Sequence, residues 1–126
     1  MPERRLATAL LTLLLLAGGL AAGTPKEPDQ HFGLIFGTAY GPDDRALYGV
    51  KVEIRPAGKK HPSWGLVSDH RGEFAQRVPP GPGDYVITGE AEIIAPQTHK
   101  KKRLKGEVKV HIEAEERQDV SLHLSE

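Results

Sequence analysis

From Gly33 onward the chain alternates apolar and polar residues in short runs broken by Gly, Pro and Asp. Val50, Val52 and Ile54 fall on one side of an extended segment, and Lys51, Glu53 and Arg55 fall on the other. A period of two gives a strand one dry face and one wet face. The pattern returns near the end, with Val108, Val110 and Ile112 against Lys109 and His111, then Val120, Leu122 and Leu124 against Ser121 and His123. These alternations predict strands over 34–40, 50–55, 64–68, 73–78, 84–89, 107–112 and 119–124, and no stretch after residue 23 holds a helical period. Seven short strands in roughly 100 residues meet the requirement of an Ig-like two-sheet β-sandwich.

Two connections carry specific turn chemistry. In Ser68-Asp69-His70-Arg71-Gly72-Glu73-Phe74 the Asp69 carboxylate is placed to accept turn amides, and Gly72 supplies positive φ without steric cost, which predicts a tight hairpin. In Val78-Pro79-Pro80-Gly81-Pro82-Gly83-Asp84-Tyr85 three prolines interrupt any hydrogen-bonded ladder. That segment reads as a stiff crossover between sheets.

The first part of the chain has a different design. Arg4 and Arg5 precede a leucine-rich apolar run from Leu6 to Leu20, which ends on Ala21, Ala22 and Gly23. This is the order of a secretory signal peptide, and the run is short of the roughly 20 apolar residues that span a bilayer. The expected organisation is a cleaved signal over 1–23, a polar flexible tether over 24–32 and one domain over 33–126, with an uncleaved N-terminal anchor as the alternative. The implied location is secreted or periplasmic, in a bacterial envelope.

Charge narrows the partners. Lys plus Arg and Asp plus Glu each number 17, and removal of residues 1–23 takes away only Arg4, Arg5 and Glu3. A balanced chain offers no electrostatic case for nucleic acid. There is no cysteine, so lipidation at a processed N-terminus and disulfide bracing are both excluded, and stability must come from sheet pairing and burial.

Four segments in order resemble a known family: Ile35-Phe36-Gly37; Leu47-Tyr48-Gly49-Val50-Lys51-Val52; Ser68-Asp69-His70-Arg71-Gly72-Glu73-Phe74; and Pro79-Pro80-Gly81 followed by Tyr85. They are similar to the motifs of the carboxypeptidase regulatory-like domain family. That resemblance implies a transthyretin-like seven-stranded β-sandwich used as an accessory or structural module without a shared active site. Asp69, Gly72, Pro79, Pro80 and Gly81 would be structural turn residues. The sequence departs from the pattern where Gly83-Asp84 lengthens the step to Tyr85 and where 95–105 is unusually basic. A hydrolase of related fold that opens hydroxyisourate ends in Tyr-Arg-Gly-Ser, whereas this chain ends His123-Leu124-Ser125-Glu126.

The chemical candidates are few. A Lys-to-Asn isopeptide crosslink is excluded because the chain has no asparagine, and the Lys-to-Asp version would have to use Lys51 or Lys109 with Asp119, on outward positions unsuited to a deprotonated lysine. His111 and His123 are expected to point outward from neighbouring strands, where they could share a metal ion with Glu113 or Asp119, or be two solvated imidazoles. The run His99-Lys100-Lys101-Lys102-Arg103-Leu104-Lys105 is expected in a long connection, either as a solvated loop balanced by Glu113, Glu115 and Glu116 or as a contact for an anionic glycan or lipid head group. Trp64 is either a core anchor or an exposed platform for a sugar ring. The expectation is a non-catalytic exported module without a cofactor, acting in binding or assembly at the cell envelope, with an unknown protein or envelope glycan as partner. Membrane contact would come only through the signal segment or weakly through the basic loop. The alternatives are a carbohydrate or anionic-glycan module using Trp64 and the basic run, and a metal-dependent or hydrolytic activity around His111 and His123.

Overall fold

The computed structural model describes residues 31–126. The signal segment and most of the tether expected from the sequence therefore lie outside the described residues. Seven strands form: β1 (Gly33–Tyr40), β2 (Lys51–Pro56), β3 (Trp64–Val67), β4 (Glu73–Val78), β5 (Gly83–Ile94), β6 (Lys101–Ile112) and β7 (Arg117–His123). They make a three-stranded sheet in the order β4-β1-β7 and a four-stranded sheet in the order β3-β2-β5-β6. The all-β sandwich expected from alternation is the fold of the chain.

Period-two burial is what holds the sheets face to face. Ile35 and Ala39 of β1, Val52 and Ile54 of β2, Tyr85 and Ile87 of β5, and Leu122 of β7 lie in one core with Val50, Phe74, Val78, Leu104, Ile112 and Leu124. Each fully buried aliphatic side chain is worth about 1.5–3 kcal/mol against exposure, which is how a chain of this size stands without cystines. Val108, Val110 and Val120 also face inward, half-buried against this core. The outward residues of β6, from Lys101 to His111, are exposed at every second position.

Three connections differ from expectation. The turn after β3 is not a hairpin, because β3 pairs with β2 in one sheet and β4 pairs with β1 in the other. The chain crosses between sheets there, and it crosses again through Pro79-Pro80-Gly81, as expected. Turn chemistry is local and is the same whether the chain folds back beside itself or moves to the facing sheet. The second difference is the long connection expected before β6. Ala95 to Lys100 make a short turn, with Ala95 N–H donating to the Lys100 carbonyl at 2.8 Å, and β5 and β6 pair from Gly83↔Ile112 to Ile94↔Lys101. The third is β7, which joins β1 in parallel, from Leu34↔Arg117 to Tyr40↔His123, and does not extend the sheet of β6. Only one bridge, Lys105↔Ser125, connects the tail of the chain to β6.

Candidate functional site

The basic run is built into a strand. Lys101, Lys102, Arg103, Leu104 and Lys105 belong to β6, with Leu104 fully buried. Across the ladder, Arg103 is opposite Glu92 and Lys105 is opposite Glu90, and Arg103 Nε stands 4.0 Å from the Glu90 carboxylate. Lys102 faces inward, with Nζ 3.4 Å from Glu126. The charges that balance this run are therefore Glu90, Glu92 and Glu126, and not the Glu113, Glu115 and Glu116 expected from nearness in sequence. Opposite charges facing across strands stabilise the pairing itself. Only His99 and Lys100 of the run remain in the turn.

Trp64 is half-buried and packs on the core, its ring centroid 6.0 Å from that of Tyr85 at a tilt of 53°. It begins β3 at one edge of the four-stranded sheet, and the basic run lies on β6 at the other edge. The structure does not bring Trp64 and Lys100 to Lys105 into one site.

His111 and His123 are also separated. They lie in different sheets, because β6 and β7 are not partners. Gly106 of β6 is the residue that meets His123, and His111 is five residues further on, about 17 Å along the strand. His111 is held instead by two carboxylates, with Nδ1 2.7 Å from Asp84 and Nε2 2.8 Å from Glu113. These hydrogen bonds, with Glu113 the stronger influence and Asp84 next, raise its pKa above the usual imidazole value. Among the described residues no group of three His, Asp or Glu side chains is arranged to hold a metal ion. His111 instead edges a shallow groove of about 640 Å3 on the outer face of the four-stranded sheet, lined also by Arg55, Asp84, Glu107 and Lys109. Its one phenol ring, that of Tyr85, is 7% exposed.

What the fold does assemble is a pair of rings at the opposite end of the sandwich. Tyr48, in the connection from β1 to β2, lies over His70, in the connection from β3 to β4, with ring centroids 3.9 Å apart and planes 14° apart. Tyr48 is 62% exposed, so the ring face turned away from His70 is open to solvent. Both rings sit on rigid turns. The buried Ser68 hydroxyl donates to the Leu47 carbonyl at 2.7 Å and accepts from the Val50 N–H at 2.9 Å, so it closes the turn that carries Tyr48. The Asp69 carboxylate accepts from the N–H groups of Arg71 at 2.8 Å and Glu73 at 2.9 Å, and so closes the turn that carries His70. Those amide bonds, Glu73 first, lower the Asp69 pKa. Gly72 has φ of 77°, and a side chain there would press on the Ala39 carbonyl and on Ala46.

A second tyrosine–histidine stack occupies the same end. Tyr40, the last residue of β1, lies 5.2 Å from His123, the last of β7, with planes 21° apart. His123 Nδ1 is 3.8 Å from Asp44, and Asp43, Asp44 and Arg45 on the intervening turn are all exposed. Tyr40 and Tyr48 flank one turn in the sequence, but nothing in the sequence pairs either with a histidine. The imidazoles come from distant segments, and only the crossovers bring them together.

No family model matches the chain, and no curated protein matches it. Among solved structures it is similar to a candidate carbohydrate-binding protein from Pseudomonas aeruginosa, with 17% identity over 79% of this chain and 98% of that one and a TM-score of 0.53. That likeness shows the fold. A 9R-lipoxygenase from Cyanothece aligns with 79% of this chain and 17% of its own, at 11% identity and a TM-score of 0.41.

Proposed function

We propose that this chain is an exported, non-catalytic carbohydrate-binding β-sandwich, and that its sugar contact is the Tyr48–His70 end. The single observation that carries this reading is an exposed tyrosine ring stacked on an imidazole at 3.9 Å. An aromatic face packs against the C–H face of a pyranose, and neighbouring polar side chains take up the hydroxyls. His70 against the ring, and the exposed Asp43, Asp44 and Arg45 on the same connection as Tyr48, supply such groups. Because Ser68 and Asp69 fix both turns in advance, little ordering entropy opposes binding. The description of the similar P. aeruginosa fold as a candidate carbohydrate-binding protein agrees in kind. Export rests on the basic-then-apolar pattern of residues 1–23. Membership of the carboxypeptidase regulatory-like family rests on the four ordered motifs, whose Asp69, Gly72 and Pro79-Pro80-Gly81 positions serve as turns here.

The test is affinity electrophoresis through gels cast with neutral soluble polysaccharides, among them a glucomannan, a galactomannan and a xyloglucan. The chain should be retarded by at least one of them. Tyr48→Ala should weaken that binding about two- to tenfold, the range of an aromatic stacking contact, without lowering the melting temperature. Retardation unchanged in Tyr48→Ala, or absent from a broad panel, would overturn the reading.

A further inference from the structure

The outer face of the three-stranded sheet carries a second arrangement that the sequence does not announce. Leu34 of β1 is opposite Arg77 of β4 on one side and opposite Arg117 of β7 on the other. By alternation all three side chains point away from the core, and the two arginine Cα atoms are separated by two strand spacings, about 10 Å. Each guanidinium carbon stands over a phenyl ring: Arg77 Cζ is 4.5 Å from the centroid of Phe32, and Arg117 Cζ is 4.4 Å from that of Phe36. Two planar cations thus stand side by side on an apolar strip of Phe32, Leu34 and Phe36.

The two cations are differently engaged. Arg117 Nε donates to Asp119 at 2.7 Å, so its terminal nitrogens are the part that remains for a ligand. Among the described residues no carboxylate stands within ion-pair distance of Arg77. On strand β6 the same distance brings a carboxylate to Lys102, from Glu126, and to Arg103, from Glu90. Arg77 thus presents a cation without an ion-pair partner among the described residues, on the sheet opposite the basic run.

We propose that Arg77 and Arg117 form a seat for a carboxylate-bearing polysaccharide, a chain of uronic acid residues, laid along β1 with its ring faces on Leu34 and the phenyl rings. A guanidinium fork matches a carboxylate with two parallel hydrogen bonds, and stacking on an aromatic ring fixes the fork before the ligand arrives. The apolar strip between the forks suits the C–H faces of the sugar rings. This seat is about 20 Å from Tyr40 along β1 and does not depend on the Tyr48–His70 contact.

Binding of the purified chain to polygalacturonate, to its fully methyl-esterified form and to dextran sulfate tests the assignment. Polygalacturonate should bind, and raising salt from low to physiological levels should weaken it. Arg77→Gln and Arg117→Gln should each cost about tenfold and the double variant more, with melting temperature as the control for folding. Arg77→Lys keeps the charge but loses the fork, and should fall between Gln and the native residue. Tyr48→Ala should leave polygalacturonate binding unchanged, which separates failure of this seat from failure of the neutral-sugar contact. Equal binding of the methyl ester, binding of dextran sulfate alone, or polygalacturonate binding that survives the double variant would each overturn the proposal.

Discussion

Ser68 holds the carbonyl of Leu47 through a single buried hydroxyl, 21 residues away in the chain, at 2.7 Å. The same oxygen accepts the Val50 N–H, so one side chain closes both ends of the turn that displays Tyr48. Removing it in Ser68→Ala leaves a buried donor and an acceptor unmet, each a loss of about 1–3 kcal/mol. For a domain of this size a loss of 1 kcal/mol lowers the melting temperature by about 4–8 °C. Calorimetry should show at least that fall, and sugar binding should weaken more than in a variant of equal stability altered elsewhere in the core.

Two glycines in strands make opposite demands. A Cβ on Gly106 would run into the main chain of His123 and Leu124, which cannot move aside without breaking the Lys105↔Ser125 bridge. Around Gly65, on the edge strand β3, there is open space. Gly106→Ala should therefore destabilise by about 1–3 kcal/mol, the usual cost of overpacking, and Gly65→Ala should stay within about 0.5 kcal/mol of the native chain. Urea denaturation of the pair decides this, and equal midpoints would contradict the packing described for the β6–β7 corner.

His111 sets the direction of one pH effect. Its folded pKa is raised, by Glu113 first and Asp84 second, so its contribution is fully present below the unfolded imidazole pKa and fades as pH rises through the folded value. The native chain should lose stability relative to His111→Gln between slightly acid and mildly alkaline pH. An NMR titration of the His111 ring should give a midpoint above that of a free histidine; a midpoint at or below it would remove the effect.

Asp69 acts in the opposite sense. Its folded pKa is lowered, chiefly by the Glu73 amide and then by that of Arg71, so its contribution is present above the unfolded carboxylate pKa and is lost as pH falls through the folded value. Asp69→Ala should flatten the acid limb of the stability curve and loosen the turn that carries His70. Hydrogen exchange at the Arg71 and Glu73 amides, followed as pH is lowered, checks this without a denaturant.

All seven strands were legible as alternations, because a half-buried strand writes its two faces directly into the sequence. The ends of β5 and β6 were not, since the run from Lys101 to Lys105 has only Leu104 as a buried apolar residue. That strand forms through carboxylates on its neighbour, which lie more than ten positions earlier. His111 and His123 looked adjacent because consecutive strands often pair, yet β7 crosses to the facing sheet. The tyrosine–histidine stacks and the arginine pair stayed hidden for the same reason: every one of them joins residues brought together by a crossover or by the parallel pairing.

That parallel pairing has a mechanical consequence. β1 enters the domain and β7 leaves it, and the two run side by side in the same direction from Leu34↔Arg117 to Tyr40↔His123. Tension applied between residues 31 and 126 would drag the strands lengthwise past each other, so the ladder bonds would be loaded in shear together and not peeled one at a time. A domain strung in this way resists stretching along its own axis, and the surfaces it displays keep their shape while it is pulled.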